Sequence, residues 1–180
     1  KSNENSKSAI IQQTLSIANL NLRHTRCGGD GINMQLTQKE RNLLQDQLHH
    51  EEVCIQKYQS YAQQAQDPQL KQLFTQYANQ EQQHYNTISQ LLGRQPQQVN
   101  QLQNQGQQLQ SGVQGKAKDA LLCNDMLMTE KYVSNAYDTT IFEATKPELR
   151  QQLQHIQQEE QQHGEGIFNY MQQHGMYQPQ

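Results

Sequence analysis

Apolar side chains recur along most of this chain in alternating steps of four and three residues, the spacing of helices that bury one side in a bundle. Two such segments occupy the first half, with inward positions Leu44, Leu48, Glu51, Ile55, Tyr58, Ala62, Ala65 and then Leu70, Phe74, Tyr77, Glu81, His84, Ile88, Leu91. Two more occupy the second half, with inward positions Cys123, Leu127, Glu130, Ser134, Tyr137, Ile141, Ala144 and then Leu149, Leu153, Ile156, Glu160, His163, Ile167, Tyr170. The pattern predicts four amphipathic helices.

Residues that start and stop helices flank the first two segments. Thr37 and Glu40 have the spacing of a capping box, so the first helix is predicted to open at Thr37. Asp67-Pro68 ends that helix and begins the second, with Asp as the cap and Pro at the first helical position. Gly93 is a natural C-terminal stop. Because the joint is so short, the two helices are predicted to be antiparallel neighbours.

The second pair of helices repeats the first at an offset of 79 residues. The segment Glu81-Gln82-Gln83-His84 returns as Glu160-Gln161-Gln162-His163. The same offset aligns further identical residues: Leu43 with Leu122, Asp46 with Asp125, Leu48 with Leu127, Glu51 with Glu130, Tyr58 with Tyr137 and Pro68 with Pro147. The chain is therefore predicted to contain a duplicated helical hairpin, with repeat one at 37–93 and repeat two at 116–177.

Residues 94–115 between the repeats are rich in Gln and nearly uncharged, and Pro and Gly interrupt them. This composition predicts a linker. Its 22 residues are enough to run the length of a bundle and return to the starting end. Two hairpins joined by one long crossover predict an all-α fold, a ferritin-like antiparallel four-helix bundle over residues 37–177.

Residues 1–36 do not share the bundle pattern and are predicted to form an N-terminal arm. Near-alternation from Leu15 to Leu22 and from Ile32 to Leu36, around the turn 27–31, favours a strand–turn–strand arrangement. A helix fits the first stretch about equally well, and a disordered leader is the other alternative.

Composition narrows the classes of function. A net charge of -3 provides no polybasic face for nucleic acid, and no apolar run approaches the roughly 18 residues of a membrane span. Three Cys without CxxC spacing argue against a disulfide or zinc framework. The unusual feature is 39 Gln in 180 residues, beside only 17% charged residues. The polar surface is therefore predicted to be mostly neutral amide.

Six ionisable residues occupy inward positions that are otherwise apolar: Glu51, Glu81, His84, Glu130, Glu160 and His163. Folding each hairpin at its turn brings the members of each repeat to one level, and a Glu and a His one helical turn apart can reach the same ion. Four carboxylates buried without a cation would cost several kcal/mol each or would take up protons. The sequence therefore predicts two divalent transition-metal ions, and carboxylate with imidazole suits Fe, Mn or Zn equally.

Other residues offer alternatives to this ligand set. A shift of one residue would make Glu52 the ligand, but the repeat offset pairs Glu51, not Glu52, with Glu130. The remaining His of the bundle have no counterpart in the repeat and are predicted to be surface residues: His49, His50, His155 and His174. The inward tyrosines Tyr58 and Tyr137 are either plain core residues or phenols that donate to ligand carboxylates.

The stretch LLQDQLHHEEVCIQKYQSYAQQAQDPQLKQLFTQYANQEQQH and the second copy ending EEQQHGEGIFNYMQQHGMYQ resemble the spore coat F proteins of endospore-forming bacteria. The resemblance covers about residues 37–177, including the Asp-Pro joint, both Glu-x-x-His segments and the YMQQHGMY tail. It implies a ferritin-like fold and a place in the protein layers around a dormant spore. It does not explain the arm or the extreme Gln content.

A wider resemblance links the chain to di-metal carboxylate proteins such as ferritins, rubrerythrins and manganese catalases. It implies that Glu81 and Glu160 bridge two metal ions, which Glu51 with His84 and Glu130 with His163 complete. Two functions follow. The favoured one is a structural and assembly protein of the spore surface, partnered by itself and by other spore-surface proteins. The other is an oxidoreductase that removes peroxide or oxidises iron.

Overall fold

The computed structural model describes residues 35–99 and 115–177, and these residues form an all-α structure. Four helices follow one another: α1 (Gln38–Gln64), α2 (Pro68–Leu91), α3 (Lys116–Glu143) and α4 (Pro147–Gln173). They pack as two hairpins, α1 with α2 and α3 with α4, that form a bundle. The predicted fold class is confirmed. The predicted arm and the middle of the linker, 100–114, lie outside the described residues, and the division into domains stays a prediction.

The predicted helix ends are observed. At the start of α1 the Thr37 hydroxyl accepts a hydrogen bond from the Glu40 backbone amide at 3.2 Å. The Glu40 carboxylate accepts one from the Thr37 backbone amide at 2.7 Å. At the first joint, Asp67 caps α2 by accepting the Gln69 amide at 2.8 Å, with Pro68 in the first turn. Gly93 follows the end of α2 with a φ of 72°, a conformation that favours glycine.

The two hairpins are tied together by reciprocal contacts at opposite ends. Glu40 on α1 accepts the backbone amide of Thr145, in the α3–α4 joint, at 2.8 Å. Its repeat equivalent Asp119 on α3 accepts the amide of Gln66, the repeat equivalent of Thr145, at 2.8 Å. Both carboxylates are buried. Each repeat makes the same contact to the other, which indicates an approximate two-fold relation between them. Because the start of each helix meets the end of the other, α1 and α3 are antiparallel.

The inward faces are those that the sequence predicts. Nearly all of the predicted inward residues are buried, and three are only partly so: Ala62, Leu127 and Ser134. The apolar core divides into two groups. One includes Leu44, Ile88 and Leu153, and the other includes Phe74 and Met126. On α2, α3 and α4 the ionisable residues lie between these groups, and Glu51 of α1 contacts them at the same level, so the bundle has a polar level between two apolar layers.

No helix among the described residues combines the length and the apolar character needed to cross a membrane.

Candidate metal centre

The bundle brings all six predicted ionisable residues together in the polar level. Glu51 comes from α1, Glu81 and His84 from α2, Glu130 from α3, and Glu160 and His163 from α4. Each is at most 3% exposed, although they are among the most polar side chains in the bundle. Such burial is costly unless the charges are neutralised, so the arrangement requires a cation, a proton or both.

The first half of the cluster gathers around His84. Its Nδ1 lies 2.9 Å from Oε1 of Glu160, 3.4 Å from Oε2 of Glu81 and 3.5 Å from Oε2 of Glu51. The potential ligand atoms of these four residues all lie within 4.8 Å of one another. That separation allows one ion to touch all four.

The second half gathers in the same way around His163. Its Nδ1 lies 3.0 Å from Oε1 of Glu81 and 3.9 Å from Oε2 of both Glu130 and Glu160. These four residues also have ligand atoms within 4.8 Å of one another. Glu81 and Glu160 belong to both halves, so each can contact two ions through its two oxygens.

The carboxylates repel one another in the absence of a cation. Burial, with the negative charge of the neighbouring carboxylates, raises the pKa of Glu81 and of Glu130, and raises that of Glu160 to about 8. Burial also acts to raise the pKa of Glu51, but hydrogen bonding to His84 outweighs it and leaves that pKa below its usual value. Protons therefore occupy part of the cluster when no metal is bound.

The two imidazoles differ although the repeat makes them equivalent. Burial acts to lower the pKa of His84, but hydrogen bonds to Glu160, Glu51 and Glu81 outweigh it and raise that pKa well above its usual range. Burial lowers the pKa of His163 to about 4, so this ring is neutral at pH 7. Without a metal, a protonated His84 therefore offsets part of the carboxylate charge in the first half, whereas the neutral His163 offsets none in the second half.

Several buried polar atoms of the cluster have no hydrogen-bond partner of acceptable geometry among the described residues. They are Glu51 Oε2, Glu81 Oε2, His84 Nδ1, Glu130 Oε2, both oxygens of Glu160 and His163 Nε2. Native proteins rarely leave so many buried polar atoms unpaired in one place. Carboxylate oxygens and imidazole nitrogens are atoms that bind metal ions. Because they come from two groups of four residues whose ligand atoms lie close together, the residues present could hold a pair of divalent ions.

Two tyrosines hold the outer carboxylates by a crossed arrangement. The Tyr58 hydroxyl donates to Oε1 of Glu130, and the Tyr137 hydroxyl donates to Oε1 of Glu51. Burial and the nearby carboxylates raise the pKa of both phenols well above its usual value, so both stay protonated and remain donors. Both phenols therefore donate to carboxylates of the predicted ligand set, and the ligand role of those carboxylates stays a prediction.

Glu159 is a residue of the site that sequence reasoning missed. Its Oε2 lies 2.9 Å from Nε2 of His84. The equivalent residue of repeat one is Gln80, and the matching atom, Nε2 of His163, is buried without a hydrogen-bond partner among the described residues. The repeat offset hides Glu159 because it selects only residues that are the same in both copies. Its position beside Glu160 was the one available signal.

The other candidates of the sequence lie away from the cluster. Glu52 is partly exposed and faces His49 at 3.9 Å, so Glu51 and not Glu52 enters the site. His49 and His155 are exposed, as predicted. His50 and His174 lie at the surface but are half-buried: His50 packs edge-on against Tyr132, and the His174 ring stacks on Tyr170. Helical spacing does not reveal such packing at the margin of a helix face.

A pocket of about 510 Å³ opens between α3 and α4 and reaches the cluster. Glu130 and Glu160 line it, together with the small residues Ser134 and Gly164. Both residues are almost completely buried, so the pocket extends from the surface to side chains at the edge of the polar level.

Carboxylates from all four helices and imidazoles from α2 and α4 turn inward, an arrangement that could hold metal ions in the core of a four-helix bundle. The Coat F domain family matches residues 39–94 and 118–180, which are most of the chain. The chain belongs to the Coat F domain family. A comparison with curated proteins gave no match. Membership of the family suggests a spore coat protein, and the buried clusters could hold metal ions.

Proposed function

We propose that this protein is a structural component of the surface layers of bacterial spores, stabilised by a dinuclear transition-metal centre in its bundle core. The family supports the location. The observation that carries the metal centre is the set of six buried ionisable side chains whose unpaired atoms face one another. A metal-free bundle would gain nothing from keeping them in the middle of an apolar core.

The residues have distinct roles in the proposed centre. Glu51 and His84 hold one ion, and Glu130 and His163 hold the other. Glu81 and Glu160 contact both. Two divalent ions balance the charge of four carboxylates, and the donor set of oxygen and imidazole nitrogen suits Fe, Mn or Zn. Tyr58 and Tyr137 orient the two outer carboxylates from the facing hairpin.

Because every helix contributes a ligand, the ions join both hairpins at the centre of the bundle. Binding to the folded state alone stabilises a protein by about 2.7 kcal/mol when the free ion is at 100 times its dissociation constant. A dormant spore layer needs proteins that stay folded for long periods, so a metal-stabilised bundle suits a structural role.

Elemental analysis of the full chain tests the metal centre. We expect two Fe, Mn or Zn ions per chain after loading, and fewer in a Glu81→Ala variant, which removes a shared ligand. Glu148→Ala, an exposed residue in the first turn of α4, is the matched control and should keep both ions. A wild-type chain that takes up none of the three metals would contradict the proposal.

The structural role includes assembly with further copies and with other spore-surface proteins. Large apolar side chains stay exposed along α3, among them Tyr132 and Phe142, the latter 81% exposed. The low net charge of -3 opposes close packing of subunits only weakly. Residues 1–36 are proposed to help make the assembly contacts, and light scattering of a chain that lacks them tests this. Equal assembly of both chains would mean that the arm has no such role, and no assembly of either would contradict the structural function.

A di-metal oxidoreductase of the spore, similar to manganese catalases, peroxidases or ferroxidases, is the second candidate. The pocket between α3 and α4 favours it, because a small molecule needs a path to the ions. Assays of the metal-loaded chain for these three activities separate the candidates. Turnover in the common enzyme range of about 1–1000 per second would favour the enzyme over the structural protein.

A further inference from the structure

The geometry points to a binding site for a small polar molecule or anion in the pocket between α3 and α4, at the half of the centre formed by Glu130 and His163. This inference rests on the proposed metal centre and assigns its two halves different tasks. The half formed by Glu51 and His84 is structural, and the other half is open to a ligand from outside.

The pocket ends on residues of the proposed centre. Glu130 and Glu160 line it, although they are only 2% and 0% exposed. Its volume of about 510 Å³ is within the roughly 300–1,000 Å³ usual for small-molecule sites. Any molecule that fills the pocket therefore contacts Glu130, which belongs to the second half, and Glu160, which both halves share.

The two repeats differ at the positions that open the pocket. Ser134 on α3 corresponds to Ile55 on α1, and Gly164 on α4 corresponds to Tyr85 on α2. Ile55 is fully buried, and Tyr85 packs against the apolar core. Repeat one thus carries two large side chains at the positions where repeat two carries the two small residues that line the pocket.

Gly164 leaves space directly above Glu130. A Cβ at position 164 would lie 3.9 Å from the Cβ of Glu130 and 3.8 Å from Cδ1 of Leu127, both ordinary van der Waals distances. A methyl group therefore fits there without displacing the helix. A longer side chain from the same position must extend into the pocket and cover Glu130.

The lining of the pocket determines the class of ligand. Lys131 and Asp138 provide opposite charges at its wall, and Ser134, Asn135 and Gln161 provide neutral hydrogen-bonding groups. Such a wall admits small polar molecules of either charge without strong selection. Selection then falls to the ions, which attract small ligands with an oxygen or nitrogen lone pair.

The second half also has the imidazole with a spare atom. Within residues 35–99 and 115–177, Nε2 of His163 is buried without a hydrogen-bond partner, whereas Nε2 of His84 lies 2.9 Å from Oε2 of Glu159. A ligating His usually has its second nitrogen held by a carboxylate or carbonyl, which fixes the ring. The His84 ring is therefore held more firmly than the His163 ring. This agrees with a structural role for the half that contains His84 and with ligand exchange at the half that contains His163.

Azide binding to the cobalt-loaded full chain tests this inference. Co(II) replaces the native ions and gives visible absorption that changes when azide joins its ligands. We expect wild type to bind azide, and Ser134→Ile and Gly164→Leu, which copy or exceed the bulk of repeat one, to weaken azide binding at least tenfold with cobalt content unchanged. Thr75→Ile, an exposed residue of α2 distant from the pocket, is the matched control and should bind azide as wild type does.

Each outcome decides a different point. Wild type that takes up no cobalt would overturn the pocket's role, and a chain that also takes up none of Fe, Mn and Zn would overturn the metal centre with it. Wild type that binds cobalt but no azide, or variants that bind azide as tightly as wild type, would overturn the pocket alone. If Gly164→Leu does not fold, Ser134→Ile and the smaller Gly164→Ala provide the same comparison, with a graded loss expected from the methyl group to the isoleucine.

Discussion

Oε2 of Glu159 lies 2.9 Å from Nε2 of His84, on the side of the imidazole that faces away from the four clustered carboxylates. Nδ1 of the same ring faces those carboxylates. A carboxylate in this position accepts a hydrogen bond from the outer N–H, which leaves the inner nitrogen to bind an ion. Glu159 is therefore a positioning residue for the proposed centre and supports only one of its halves.

Replacement of Glu159 should weaken metal binding. Loss of such an outer partner typically costs about 10- to 100-fold in metal affinity. We expect Glu159→Gln to weaken the binding of one of the two ions by that factor, measured by competition with a chelator of known affinity. Gln80→Ala changes the equivalent residue of repeat one and should leave both affinities near those of wild type. A Glu159→Gln chain that binds both ions as wild type does would contradict the role.

Removal of either tyrosine hydroxyl should destabilise the bundle by a similar amount. Tyr58→Phe and Tyr137→Phe each leave a buried carboxylate oxygen without its donor, which costs about 1–3 kcal/mol. The free energy of unfolding in denaturant measures the loss. Tyr132→Phe, which changes an exposed ring, is the control and should be neutral. Since the two contacts are repeat equivalents, strongly unequal losses would argue against the two-fold relation.

Two glycines of α4 should respond oppositely to alanine. At Gly164 an added methyl group meets only ordinary contacts, so Gly164→Ala should stabilise the helix by roughly 0.5–1 kcal/mol. At Gly166 the added Cβ would overlap the hydroxyl of Tyr77 and lie 3.1 Å from its Cζ. Tyr77 packs on His163 with the ring centres 4.3 Å apart, so it has little freedom to move.

We therefore expect Gly166→Ala to destabilise the bundle by about 1–3 kcal/mol, the usual cost of overpacking. Thermal unfolding of both variants at equal protein and metal concentration provides the comparison. If Gly166→Ala unfolds at or above the temperature of Gly164→Ala, the placement of Tyr77 against α4 is wrong.

The Glu40 contacts should make stability depend on acid pH. Burial acts to raise the pKa of Glu40, but hydrogen bonds from Thr145 and Thr37 outweigh it and lower that pKa from 4.5 to about 2. A carboxyl group whose pKa is lower in the folded state stabilises the protein at pH values above the pKa that the group has in the unfolded state. That contribution is complete above pH 4.5 and is lost as the pH falls toward 2.

Glu40→Gln should therefore be less stable than wild type at pH 7, and the difference should shrink between pH 4.5 and 2. Free energies of unfolding at several pH values within that range measure the effect. Glu148→Gln, which changes an exposed carboxylate of α4, serves as the control. A difference that stays constant down to pH 2 would show that the Gln variant loses packing and not charge.

The sequence by itself determined the helices, their inward faces and the level of the six ionisable residues. Helical periodicity and turn residues depend only on nearby sequence. The four- and three-residue spacing of inward side chains and joints such as Asp67-Pro68 can therefore be identified without a structure. The internal repeat distinguished between adjacent candidate residues, which helical periodicity alone does not do. It selected Glu51 over Glu52, because only one register aligns the two copies, and the structure buries the residue that this register selects.

Only the tertiary structure decided which residue meets which across the bundle. The period places Tyr58 and Glu159 on or near an inward face, but their partners Glu130 and His84 come from other helices, and those contacts depend on the rotation and separation of the helices. The pocket has the same origin. Ser134 and Gly164 are unremarkable in their own helices and form an opening only where α3 and α4 face each other. The physical reason is that periodicity sets the direction of a side chain, whereas packing sets its neighbour.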